Sequence, residues 1–136
     1  MNVLIIDEDD DVRKIIYEIL FEACIAAKSR STVKDALLLL KDDVFDVVLL
    51  DRNADPRMKD NFKDIPTIRE AAPVSALVGM AFTTLPGSDQ ILRAGGGEGF
   101  IWKPWNDNND IINTLEGAFF EMEKRIWKTN EKSKSI

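Results

Sequence analysis

The chain has 136 residues, 45% of them hydrophobic and 31% charged, which is the composition of one globular domain with its own core. Its 24 acidic residues outnumber the 18 basic ones, which argues against a protein that coats nucleic acid. Because the chain contains no histidine, histidine-based catalysis and histidine-ligated zinc are excluded, and any bound metal would be a hard cation held by oxygen atoms.

No apolar run approaches the about 20 residues that a membrane-spanning helix needs. The chain starts with a strand pattern at Val3 rather than with a signal peptide, so we expect a cytoplasmic protein that binds neither membrane nor nucleic acid. The single cysteine, Cys24, cannot form an internal disulfide. Its place on the apolar side of a helical pattern predicts a buried thiol.

The first aliphatic run, residues 3–6, predicts a short strand that ends at the acidic residues 7–11. A helix follows, with a capped and acid-rich first turn that its dipole favours. The apolar face of this helix consists of Val12, Ile15, Ile16, Ile19, Leu20 and Ala23. The segment therefore predicts a strand, a loop of carboxylates and a helix.

A weak second strand, at an edge of the sheet, is predicted over residues 24–28, and Ser31 or Thr32 caps a second helix. The aliphatic run 47–50 then stops at Asp51. Four consecutive aliphatic residues are typical of a strand that is buried on both faces of a parallel sheet. Asp51 is thus predicted to lie at the carboxyl end of a central strand.

The second half of the chain repeats this alternation after a longer polar segment. In chain order it predicts a loop over 52–64, a helix over 67–72, a strand over 74–80, a helix beginning at Ser88 or Asp89, a strand over 100–102 and a long helix from about Asp107. Residues 95–97 are three glycines that precede a strand, which favours a helix end and turn over a phosphate-binding loop. Residues 128–136 predict a polar, mostly cationic tail that frays.

Five strands that alternate with five helices predict an α/β fold, a doubly wound parallel sheet in a single domain. The carboxyl ends of parallel strands meet at one edge of a sheet, so Asp7, Glu8, Asp51 and Lys103 are predicted to lie there together. Crowded carboxylates favour a Mg²⁺ ion, and Lys103 could hold a phosphoryl oxygen. Asp51 could then form an acyl phosphate. The alternative is a set of unrelated surface charges at strand ends.

The order of strand-Asp7-Glu8, strand-Asp51 and strand-Lys103-Pro104 resembles the receiver domain of two-component response regulators. The resemblance covers about residues 2–126. It implies a flavodoxin-like fold with strand order 2-1-3-4-5, a receiver domain over 1–126 and a polar C-terminal tail over 127–136. It further implies a phosphoacceptor rather than an enzyme, with at most self-phosphorylation and self-dephosphorylation.

The resemblance also implies a role for each matching residue. Asp51 would receive a phosphoryl group from a histidine of a sensor kinase or a phosphotransfer protein. Glu8, Asp51 and the main-chain carbonyl of Asn53 would bind Mg²⁺, and Asp7 would act on the ion through water. Lys103 would bind the phosphate, with a cis peptide bond to Pro104.

The chain departs from the family at the positions that read out phosphorylation. Receivers usually end the fourth strand in Ser or Thr, whereas here that position aligns with Gly79 or, with a different gap, Ala81. Thr83 and Thr84 follow and could substitute only if the loop folds back. Phe100 matches the switch aromatic but lacks a hydroxyl group. The loop 52–64 also lacks the usual Met-Pro and Asp-Gly pairs.

Two other functions remain open at this point. A pseudo-receiver would keep the fold as a protein-interaction module that works without phosphorylation, which the missing hydroxyl group favours. A Mg²⁺-dependent phosphohydrolase would use Asp51 as its nucleophile and would need a second acid, for which Asp55 is the candidate. Finally, the 100–127 region carries Trp105, Phe120 and Trp127, which predict a surface for a homodimer or an output partner.

Overall fold

The computed structural model describes residues 1–53 and 59–134. In these ranges a sheet of five parallel strands has the order β2-β1-β3-β4-β5. The elements are β1 (Asn2–Ile6), α1 (Asp10–Glu22), β2 (Ala26–Arg30), α2 (Val33–Leu40), β3 (Val47–Asp51), α3 (Ile65–Ala71), β4 (Ala76–Phe82), α4 (Ser88–Ala94), β5 (Gly99–Lys103) and α5 (Asn108–Lys134), with a 3-10 helix at Asn61–Asp64. The predicted flavodoxin-like fold and its strand order are confirmed.

Two hydrophobic layers enclose the sheet, and all five residues of β3 are buried. On one face, the apolar stripes of α1 and α5 pack against alternate residues of the strands. On the other face, α2, α3 and α4 cover the remaining side chains of the same strands. The carboxylate of Asp51 is therefore carried at the end of the most enclosed strand of the domain.

Side chains and one glycine set the starts of the helices beside the sheet edge. Asp9 caps α1 by accepting hydrogen bonds from the Asp11 and Val12 backbone N–H groups. Of the two candidates for α2, Thr32 is the cap. The prediction that Ser88 or Asp89 caps α4 is wrong, because Gly87 occupies that position with a left-handed φ of 84°.

Some element boundaries differ from the predicted ones. The expected loop 52–64 already contains the 3-10 helix, and α3 begins at Ile65 with Pro66 in its first turn. The fourth strand starts at Ala76 rather than at Val74, whose side chain is exposed. The glycines after α4 end the helix as predicted: Gly95 is its cap and Gly96 has a φ of 91°.

The expectation of a buried Cys24 is wrong, because the side chain is exposed. α1 ends at Glu22, and Cys24 turns the chain toward β2 with a left-handed φ of 60°. The helical spacing that placed Cys24 on the apolar face therefore stops before it reaches this residue.

The last helix extends further than expected. α5 continues to Lys134, so residues 128–134 are helical where we predicted a frayed tail. Met122 is its last buried residue, and residues 123–132 are all exposed. Despite its length, α5 is not apolar enough to cross a membrane, and neither is any other helix in residues 1–53 and 59–134.

Candidate functional site

Three charged side chains are buried together at the carboxyl edge of the sheet. Asp7 follows β1, Asp51 ends β3 and Lys103 ends β5, and their exposed fractions are 1%, 5% and 3%. The Lys103 ammonium lies 2.7 Å from Oδ1 of Asp51 and 3.5 Å from Oδ2 of Asp7. The structure therefore brings together three of the four residues that the sequence placed at this edge.

The two buried carboxylates carry more charge than one ammonium can balance. Burial, and secondly the charge of Asp7, raise the pKa of Asp51 to about 6 against an opposing effect of Lys103. Burial likewise raises the pKa of Asp7, while Lys103 is again the main opposing influence. A second cation at this position would favour the ionised form of both acids.

The two oxygens of Asp51 have different surroundings. Oδ2 accepts a hydrogen bond of 3.1 Å from the Asn53 backbone N–H. Oδ1 is buried and forms an ion pair of 2.7 Å with the Lys103 ammonium. Each oxygen of this carboxylate therefore has a polar partner, an ammonium on one side and a backbone amide on the other.

Glu8 and Asn53 lie at the open side of the cluster. Glu8 is exposed and accepts a hydrogen bond from the Asn53 side-chain amide. Asn53 has a left-handed φ of 54°, which turns the chain away from β3 directly after Arg52. Asp55, the second acid that a phosphohydrolase would need, lies outside the described residues.

The donor set present fits Mg²⁺ better than a metal that needs many protein ligands. Across residues 1–53 and 59–134, no three acidic or cysteine side chains come close enough to hold a metal by themselves. Mg²⁺ characteristically takes one or two carboxylates and keeps several of its waters. Asp7 and Asp51 supply two oxygen donors of that kind, with no nitrogen or sulfur ligand beside them.

The end of β4 differs from the expectation for a switch residue. Gly79 is opposite Leu50 and Phe100, three residues before the strand ends. A Cβ atom on Gly79 would lie 2.8 Å from the side chain of Leu92 in α4, so this position faces the core rather than the buried charges. Ala81 is the buried residue nearest the end of β4.

The two threonines after β4 are exposed, and Thr83 donates its backbone N–H to the Lys103 carbonyl at 3.1 Å. Phe100 is half-buried and packs edge-on against Phe62, with ring centroids 6.4 Å apart. The peptide bond between Lys103 and Pro104 is cis.

Sequence reasoning missed Phe82, which pairs with Lys103 in the sheet register. Its ring is 53% exposed, and the Lys103 ammonium lies 4.4 Å from the ring centroid. The ring therefore covers one side of the cation that would meet a phosphoryl group. A signal was present, because Phe82 is a large aromatic residue placed before two polar threonines at a strand end.

Arg52, directly after Asp51, was also missed. Its guanidinium pairs with Asp60 at 3.1 Å and donates a 2.8 Å hydrogen bond to the Ser88 hydroxyl at the start of α4. Its backbone N–H bonds to the Met80 carbonyl. These contacts join the end of β3 to α4, and no local pattern indicates a partner 36 positions away.

No family model and no curated protein matches the sequence. Solved structures do match. A CheY-like receiver domain of Methanospirillum hungatei JF-1 has 18% identity and a TM-score of 0.78, covering 91% of this chain and 97% of its own. The chemotaxis protein CheY4 of Vibrio cholerae has 22% identity and a TM-score of 0.74, covering 85% and 95%.

A structure described as an adenylate cyclase from Rhodopirellula baltica has 18% identity and a TM-score of 0.83, covering 98% of this chain and 97% of its own. Proteins with different descriptions thus share this architecture, so the likeness establishes the fold and leaves the function to the site. The chain has the fold of the CheY-like receiver domains.

Proposed function

We propose that this chain is a divergent response-regulator receiver that accepts a phosphoryl group on Asp51. The donor would be a sensor histidine kinase or a phosphotransfer protein in the cytoplasm. The observation that supports the proposal is the buried cluster of Asp51, Asp7 and Lys103, which places a carboxylate at a strand end directly beside an ammonium.

In the proposed reaction, a carboxylate oxygen of Asp51 attacks the phosphorus of a phosphohistidine. An O–P bond forms as the N–P bond breaks, and the leaving imidazole nitrogen takes a proton from water. Lys103 would bind a phosphoryl oxygen, since its ammonium already lies 2.7 Å from Asp51. Without a metal ion the pKa of Asp51 is raised to about 6, and bound Mg²⁺ would lower it and so favour the attacking ionised form.

Mg²⁺, held directly by Glu8, Asp51 and the Asn53 carbonyl and through water by Asp7, would offset the negative charge of the transferred group. Asp7 would orient the ion's water rather than react. The protein itself would be no enzyme in the ordinary sense, beyond gaining and losing its own phosphoryl group.

The second candidate is a pseudo-receiver that binds partners without phosphorylation. Two observations favour it: Ala81 has no hydroxyl group to contact a phosphoryl group, and Phe82 covers part of the Lys103 ammonium. A receiver with these residues would in any case need a readout different from the usual hydroxyl group.

The deciding experiment incubates the purified protein with Mg²⁺ and acetyl phosphate and measures the intact mass. We expect the mass of one added phosphoryl group, its absence in Asp51→Asn, and its loss when EDTA replaces Mg²⁺. A folded protein that gains no mass would reject the receiver proposal in favour of the pseudo-receiver. Catalytic turnover of a small phosphoester would instead support the phosphohydrolase.

A further inference from the structure

The helix α5 outgrows the domain that it helps to form. Its buried stripe, Ile111, Leu115, Ala118 and Met122, packs in the hydrophobic layer that it shares with α1. Beyond Met122 no residue from 123 to 132 is buried. With a rise of 1.5 Å per residue, the segment 123–134 extends the helix by about 18 Å past its last core contact.

This extension is not purely polar. Trp127 is 64% exposed and Ile126 is 37% exposed. Phe120, about two turns before Trp127, is 58% exposed. Arg125 pairs with the buried carboxylate of Glu98 at 2.7 Å, which holds the first turn of the segment against the domain. The exposed aromatic residues indicate a contact with another surface. We therefore expect a partner helix or groove to cover the exposed aromatic residues of this segment.

The charges of α5 identify the partner. From residue 107 to 123 the chain has five acidic side chains and no basic one, whereas from 124 to 132 it has four basic side chains and one acidic. The helix dipole favours this arrangement only within the first and last turns. Here the sign changes in mid-helix, between Glu123 and Lys124, far from either end.

We propose that two copies of this chain associate through their α5 helices in antiparallel orientation. A two-fold axis near Lys124 would set the acidic half of each helix against the basic half of the other. The same axis would place Phe120 of each copy near Trp127 of the other. A parallel pair would instead align acid with acid and base with base, so the charge pattern favours the antiparallel arrangement alone.

Self-association suits this surface because a two-fold interface needs a patch that is complementary to itself. A helix that is acidic in one half and basic in the other meets that condition when its copy is reversed. Gly117 adds room on the acidic half, because a Cβ atom built there would meet nothing within 4 Å. A large side chain of the second copy can approach the backbone at this position.

The test is sedimentation velocity over a range of protein concentrations, with Glu121→Lys and Lys128→Glu as single variants. In a dimer of either variant, like charges would face each other at both symmetry-related contacts of the two helices. We therefore expect the dissociation constant of the dimer to rise about tenfold. A 1:1 mixture of the two variants should recover the wild-type affinity, because each changed half then meets an opposite charge. Added salt should weaken the wild-type dimer.

Lys14→Glu, an exposed change on α1 with the same charge difference as Lys128→Glu, is the matched control for that variant and should leave the dimer unchanged. Circular dichroism confirms that every variant is folded. A wild-type monomer at all concentrations, or a mixture that does not recover, would overturn the proposal. The same series in an Asp51→Asn background should behave identically. The test of the dimer therefore does not depend on whether Asp51 accepts a phosphoryl group.

Discussion

Replacing Asp51 by Asn should stabilise the protein at neutral pH, although it removes the proposed phosphoacceptor. The pKa of Asp51 is raised from 3.8 to about 6, chiefly because the carboxyl is buried and Asp7 lies close by. Between these pH values the native state binds a proton that the unfolded state has lost. The free energy of unfolding therefore falls as the pH rises from about 4 to about 6.

The size of the effect follows from the shift. Two pH units at about 1.4 kcal/mol each give about 3 kcal/mol of destabilisation once Asp51 is fully ionised in the folded protein. Asn carries no charge and avoids this cost. We expect Asp51→Asn to gain about 3 kcal/mol at pH 7.5, and the gain to shrink to about 1 kcal/mol at pH 4.5.

Urea unfolding in EDTA, followed by circular dichroism at both pH values, measures these differences. Asp42→Asn removes an exposed carboxylate and should change the free energy of unfolding little at either pH. Added Mg²⁺ should stabilise the wild type more than Asp51→Asn if Asp51 is a ligand. A variant that is no more stable than the wild type at pH 7.5, or equally stabilised at both pH values, would refute the electrostatic reasoning.

Three further changes test other parts of the structure. Phe82→Ala should speed labelling by acetyl phosphate about fivefold, because it uncovers the Lys103 ammonium. Phe21→Ala, a change of an exposed aromatic residue on α1, is the control, and an unchanged rate in Phe82→Ala would show that the ring does not hinder access. Gly79→Ala should lower the free energy of unfolding by about 1–3 kcal/mol, since its new methyl group would press on Leu92; urea titration decides, and a neutral result would mean that α4 shifts freely. Truncation after Glu123 should abolish dimerisation in sedimentation. It should lower the melting temperature of the monomer only slightly, because residues 124–132 are exposed and Glu98, which loses its ion pair with Arg125, keeps the one with Arg69; a large loss of stability would contradict the burial pattern.

The strand ends were predictable because each is a local pattern. A short hydrophobic run that stops at Asp7, Asp51 or Lys103 can be recognised without knowledge of distant residues, and the parallel topology then brings the three together. The direction of the Glu8 carboxylate, which bonds to Asn53, depends on a loop conformation that no run of residues encodes.

The wrong or missing predictions concern features that depend on residues far apart in the sequence or on a single backbone conformation. Cys24 fits the helical spacing, yet a left-handed residue ends that pattern, and the sequence around it contains no glycine to announce the turn. Arg52 looked like the first polar residue of a loop, although its guanidinium reaches Ser88. Residues 128–134 looked like a tail because they are polar, whereas Lys and Glu are good helix formers that continue α5.

The edge strand β2 has a consequence for how this protein behaves when it is concentrated. An unpaired strand edge offers free N–H and C=O groups to any other extended chain, which is how fibrous aggregates begin. β2 is only five residues long, with Lys28 exposed and paired to Asp43, and with Arg30 at its end. A chain that added to this edge would have to approach those charges, so they disfavour growth of the sheet on the β2 side.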